Sequence, residues 1–147
     1  RLADLVRARI EKRGGKVEGG PDLAGVCGLL KTRAATLEAL ADQALFFYKP
    51  LERDAEAVKA ALADGNRDAL IDFRDGITQL ADFNAQAIYG VIKTVMEKRG
   101  IKMGPIATPL RVLVCNVDKT PQIDKTLELF GKNEVLARIE SGLAMAA

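Results

Sequence analysis

The segment NAQAIYGVIKTVMEKRG, residues 84–100, constrains the fold most. Asn84 offers a side-chain cap, Ile88, Val91, Ile92, Val95 and Met96 recur on one helical face, and Lys98-Arg99-Gly100 supplies a basic last turn and a glycine stop. A stripe that narrow must be buried against other helices. Shorter versions of the pattern recur along the chain. Leu2, Leu5, Val6 and Ile10 share a face of a helix that ends at about Arg13, before Gly14-Gly15. Leu23, Val26, Cys27 and Leu30 carry a second helix from Asp22, and Leu37, Leu40, Ala41, Ala44 and Leu45 carry a third that Pro50 stops. Asp54 is placed to cap AEAVKAALADG, and Asn66 to cap RDALIDFRDGITQLAD. The chain therefore reads as all-α, a bundle or cage of about eight helices.

One stretch departs from this regularity. In GPIATPLRVLVCNVDKTPQID three prolines surround the apolar run LRVLVC. LRVLV alone could be a buried strand, but Thr108-Pro109 and Thr120-Pro121 each place a capping side chain before a proline at a helix start. These flanks predict a short helix from about Pro109, a loop at residues 116–119, a helix over 121–130 with Gly131 as its C-cap, and a last helix capped by Asn133.

The inventory excludes most chemistry. There is no His, so the commonest general base, the usual zinc ligand and a His-paired nucleophile are missing, and no metal site is expected. Cys27 and Cys115 form no C-x-x-C and read as reduced core thiols of a cytosolic protein. No glycine-rich phosphate loop or nucleophile elbow occurs. No apolar run has the ~18–20 residues of a membrane span. With 147 residues, 48% of them hydrophobic, one domain or two small lobes can be built. Helical periodicity from Arg1 onward suggests a piece of something longer, and catalysis by this piece is not expected.

Charge is clustered. Residues 1–16 carry six basic and two acidic side chains, residues 93–119 again six and two, and residues 38–82 five and ten. Such clustering fits a nucleic-acid face, although helix C-termini also collect Lys and Arg.

The tail KRGIKMGPIATPLRVLVCNVDKTPQIDKTLELFGKNEVLARIESGL resembles the C-terminal end of bacterial glutamyl-tRNA synthetases. That family shows a basic residue and Gly ending a helix, then PLR, a short loop with Pro, a helix ending in LLGK, and E-x-x-L-x-R. LLKTRAATLEAL resembles its segment in which an Arg precedes a T-L-x-x-[LF] helix start. Where many members read ALTG after PLR, this chain has Val112-Leu113-Val114-Cys115-Asn116, so a different loop is expected there.

The resemblance implies an anticodon-binding region in two helical lobes, residues 1–82 and 83–147, that recognises tRNA for glutamate. It implies a cytoplasmic monomer that contacts neither DNA nor a membrane. Glutamate, ATP and magnesium would be handled by a catalytic domain absent from this sequence, with no cofactor in the piece itself. By the same resemblance Arg33 reads the third anticodon base, and Arg111, Thr120, Pro121 and Ile123 form a pocket for the first. Lys31, Lys98, Arg99, Lys102 and Lys119 are candidate phosphate contacts. Guanidinium groups, hydroxyls and apolar surfaces suit the reading of unstacked loop bases.

Plainer roles are open to the same residues. Arg33 could cap or pair at a helix end, Arg111 could pair with Asp118 or another carboxylate, and the lysines could be solvated surface. A helical protein-interaction module is the alternative function, and it would require an exposed apolar patch.

Overall fold

Side-chain caps fix three helix starts where the sequence predicts them. The carboxylate of Asp22 accepts from the Gly25 N–H at 3.0 Å, that of Asp54 from Ala57 at 3.1 Å, and the Asn84 carbonyl from Ala87 at 2.8 Å. The computed structural model describes residues 1–117 and 119–147. Its helices are α1 Leu2–Lys12, α2 Leu23–Leu30, α3 Leu37–Ala44, α4 Ala55–Ala61, α5 Asn66–Thr78, α6 Ala85–Arg99, α7 Gly104–Leu110, α8 Ile123–Phe130 and α9 Lys132–Met145. A 3-10 turn at Leu45–Phe47 ends the α3 segment before Pro50, and no strand occurs among the described residues. No helix among them is long and apolar enough to cross a membrane.

The chain divides into two compact units, Arg1–Pro50 and Leu51–Ala147. The division differs from the expected lobes, because α5 and α6, on either side of residue 82, pack against each other inside the second unit. The polar stretch between them is a turn within one core.

In the first unit α1, α2 and α3 pack on one another around Val6, Ile10, Val26, Leu30, Leu40 and Ala44. Only half of the expected α1 stripe is core, since Leu2 and Leu5 are 38% and 46% exposed. Its basic end is spent on α3. Arg9 Nε and Arg13 Nη2 each lie 2.6 Å from the Glu38 carboxylate, and Arg13 Nε lies 2.7 Å from Asp42. Arg13 first, and Arg9 after it, hold the Glu38 carboxyl below its usual range.

The second unit is built on Leu70, Phe73 and Ile77 of α5, Ile88 and Ile92 of α6, and Ile106, Leu110, Leu127 and Ile139, all fully buried. Truncating a buried ring such as Phe73 costs ~3–5 kcal/mol. Val91 and Met96 of the predicted α6 stripe are only half-buried. Gly100 ends α6 in the left-handed conformation, φ 62°, where a Cβ is unfavourable.

Four local expectations are corrected. Asn66 does not cap α5; it is the first helical residue, after Gly65, and its side-chain amide donates to the Ala61 carbonyl at 3.0 Å. The short helix starts at Gly104 with Pro105 in its first turn, so Pro109 lies inside it and Thr108 caps nothing. Helix α8 begins at Ile123, two residues beyond Pro121, without a side-chain cap. Helix α9 begins at Lys132, so Asn133 lies in its first turn while Gly131 serves both α8 and α9. In each case backbone geometry or another hydrogen bond took the role assigned to a polar side chain.

Candidate functional site

The proline-rich stretch of the second unit folds into a distorted helix end. Pro109 has no N–H to donate to the Pro105 carbonyl, and directly after it the helix widens into a π turn over Arg111–Cys115. The N–H groups of Asn116 and Val117 both point to the Arg111 carbonyl, and Asn116, φ 56°, closes the turn in the left-handed region that Asn tolerates. LRVLV is therefore helical, with Leu113 and Val114 fully buried.

A buried helix end leaves carbonyls that need donors. Two arginines meet that need. Arg53 Nη1 donates to the carbonyls of Leu113, at 3.0 Å, and Arg138, at 2.8 Å, while its Nη2 donates to the Ser141 hydroxyl at 2.6 Å. Arg138 Nη1 donates to the Val114 carbonyl at 2.7 Å, its Nε pairs with Glu134 at 2.7 Å, and its guanidinium lies 4.6 Å from the centre of the Phe130 ring. Positive charge at the negative end of the helix dipole is favourable as well. Helix α9 comes this close because residue 142 is Gly; a Cβ there would lie 2.6 Å from Leu113 Cδ2 and 3.0 Å from Arg53 Nη1.

From this braced turn the Arg111 side chain, half-buried, extends to Thr120, whose hydroxyl accepts from Arg111 Nε at 3.2 Å. Thr120, freed from capping, thus orients the guanidinium. Its two terminal nitrogens have no partner among the described residues. The Asp118 alternative lies outside the described residues. Pro121 is buried and Ile123 only 5% exposed, so these two support the segment from beneath and expose little apolar surface. Burial pushes the Cys115 thiol, at the end of the turn, up to about 12. Both cysteines are free and buried.

In the first unit Arg33 lies in the turn between α2 and the Thr36-capped start of α3. Its backbone N–H donates to the Leu30 carbonyl at 2.9 Å, while its exposed guanidinium neither caps nor pairs with any side chain among the described residues. Lys31, Lys102 and Lys119 are exposed. Lys98 and Arg99 of α6 both reach the Asp72 carboxylate on α5, Lys98 at 3.5 Å, and Arg99 holds that carboxyl below its usual range.

Residues 1–143 match the family model described as the anticodon binding domain. The chain belongs to this family. It is 46% identical over 139 residues to a glutamate–tRNA ligase of Bordetella petrii, covering 94% of this chain and 29% of that one. It is 41% identical over 143 residues to the ligase of Thiobacillus denitrificans, covering 97% and 30%. The chain thus spans under a third of the curated relatives it matches. The fold is also that of the crystal structure of a glutamate tRNA ligase from Elizabethkingia meningosepticum in complex with its amino acid, with TM-score 0.81, 24% identity and coverage of 99% of this chain and 29% of that one. In this anticodon binding domain, then, PLR and NEVLAR of the tail meet at one packed turn, with Arg111 at its start and Arg138 bracing its end. Arg53 lies in no recognised pattern; it reaches the turn across 60 positions of sequence and α9 across 85 and 88.

Proposed function

We propose that this chain recognises the anticodon of tRNA for glutamate, as the C-terminal region of an ATP-dependent glutamate–tRNA ligase. The observation that carries the reading is the Arg111 guanidinium, fixed in plane by one hydrogen bond to Thr120 and left with its forked terminal donors available among the described residues. A planar, directional donor set on a braced helix end suits the edge of an unstacked base. The exposed Arg33 guanidinium is the corresponding group in the first unit.

In this reading Lys31, Lys102 and Lys119 supply attraction to phosphates, which adds affinity without sequence choice. Lys98 and Arg99 have Asp72 as a competing partner. The piece carries out no chemistry: glutamate, ATP and magnesium belong to the remainder of a cytoplasmic, monomeric ligase.

A gel shift with tRNA for glutamate and with duplex DNA, repeated over a range of salt, tests the proposal. Weak tRNA binding that falls steeply with salt, with no comparable shift of the duplex, is the expected result. Equal binding of both would indicate general polyanion affinity, and glutamate activation by the chain would contradict its non-catalytic role.

A further inference from the structure

Arg53 stands in an acidic part of the sequence, yet it makes no ion pair among the described residues. All of its hydrogen bonds among the described residues go to neutral oxygens: the carbonyls of Leu113 and Arg138 and the hydroxyl of Ser141. A guanidinium is costly to desolvate, and burial, with the Arg138 charge second, pulls Arg53 below its usual value. A simple staple between helices could be built from apolar side chains at less cost. What a guanidinium adds is direction. Its planar fork ties the Leu113 carbonyl to α9: Nη1 donates to that carbonyl and to the Arg138 carbonyl, Nη2 donates to the Ser141 hydroxyl, and Arg138 fixes the next carbonyl, that of Val114.

The two pinned carbonyls lie two and three residues beyond Arg111 within the same π turn. A π turn closes a hydrogen-bonded loop one residue longer than an α turn and is the rarer form. Arg111 is its first residue and its carbonyl accepts the closing N–H of Asn116, so a change of the turn's geometry would move the Arg111 backbone and with it the hydrogen bond to Thr120. Such a change also has to move the Leu113 carbonyl, which Arg53 holds.

We infer that Arg53 is a positioning residue for anticodon selectivity: through the Leu113 carbonyl it keeps the 111–115 turn in the π form that aims Arg111. The inference rests on the reading of Arg111 as a base reader. Arg53 itself touches no RNA in this scheme, so its loss should alter which RNA is preferred more than how strongly RNA is attracted.

The test measures binding of this chain to two stem-loop RNAs, one with the glutamate anticodon and one altered only at the first anticodon base. Arg53→Gln is expected to reduce the preference between them at least about threefold, with the salt dependence of binding unchanged. Arg111→Ala should reduce it as well, and the double variant should be no worse than Arg111→Ala alone, since Arg53 acts only through Arg111. Because Arg53→Gln leaves buried carbonyls short of donors, Ser141→Ala is measured beside it. That change removes an exposed hydroxyl that holds Nη2 and itself donates to the Arg138 carbonyl at 3.2 Å, while leaving both Nη1 bonds in place, and a smaller loss in the same direction is expected. Melting curves separate folding from selectivity. Variants that are less stable but keep the full preference would make Arg53 a structural staple and overturn the inference. Equal weakening for both RNAs with a shallower salt slope would make it a phosphate contact and overturn it too. If Arg111→Ala leaves the preference intact, the base-reader reading itself fails; if only the Arg53 and Ser141 variants do so, that reading stands and the positioning role fails.

Discussion

The Nε–H of Arg111 donates to the hydroxyl oxygen of Thr120 across 3.2 Å, joining the first residue of the π turn to the segment that leads into α8. Thr120 is nine positions away in sequence, so this contact closes the intervening loop as well as orienting the guanidinium. Removing it separates base reading from charge.

Arg111→Ala should weaken binding of tRNA for glutamate by ~1–3 kcal/mol, the range of a directional Arg–base contact. Arg111→Lys keeps the charge but loses the planar fork, so it should retain most affinity and lose most selectivity at the first base. Titration of both variants with native and base-substituted tRNA checks this. Full selectivity in the Lys variant would show that only the charge at position 111 matters.

Arg33 should govern the third base. Glutamate anticodons end in C where glutamine anticodons end in G. An Arg offers only donors; the pairing edge of cytosine presents two acceptors, O2 and N3, whereas guanine presents donors at N1 and N2. Facing unpaired donors costs ~1–3 kcal/mol. Arg33→Gln, whose amide both donates and accepts, should narrow the preference for C over G. The measurement is kcat/KM for the two tRNAs in the full-length ligase, and an unchanged ratio would remove Arg33 from base reading.

Much of the fold was legible because stripes and caps are local signals. Asp54 and Asn84 cap, and α2 starts after Asp22, where the sequence predicts, and the 84–100 helix ends at its glycine. The proline stretch is less legible. Thr-Pro pairs resemble helix starts, but Pro109 is accommodated inside a helix that then widens, and the Thr120 hydroxyl finds Arg111 in place of a backbone N–H. The boundary at Pro50 was hidden for a related reason: the packing of α5 on α6 across a short polar turn leaves no compositional trace. Arg138 was visible in the tail pattern without its role. Arg53 was not visible at all, since carbonyls distant in sequence carry no side-chain signature.

Asp72 joins charge to pH. Its carboxyl is held below the ordinary 3.8, by Arg99 first and Lys98 after it. The folded value is the depressed one, so this contribution to stability is complete above about pH 4 and disappears as pH falls through the folded value. Asp72→Asn should therefore flatten the acid side of the stability profile. It also releases Lys98 and Arg99, and a steeper salt dependence of tRNA binding is expected. A salt slope that is unchanged in Asp72→Asn and reduced in the wild-type background by Arg99→Ala would mean that Arg99 already contacts phosphate.

Cys115 reports on the turn. Its thiol is pushed up to about 12 by burial, so the folded state holds this proton more tightly than the unfolded chain, where a thiol titrates near ~8.5. Its contribution to stability is intact below that pH and declines as pH rises through the interval between the two values. At pH 8 neither cysteine should react with a thiol reagent until the chain is denatured, when both should. Rapid modification of Cys115 in the native protein would mean that the turn opens.

Anticodon reading is tested most directly by the equilibrium affinity of this chain for tRNA for glutamate and for the same tRNA with its anticodon scrambled, measured side by side at several salt concentrations. Both complexes should weaken with salt along the same slope, because the phosphate contacts are shared, while the native anticodon binds at least about tenfold tighter at every point. Equal affinities across the salt range would contradict anticodon recognition by this chain and leave only its attraction for RNA phosphates.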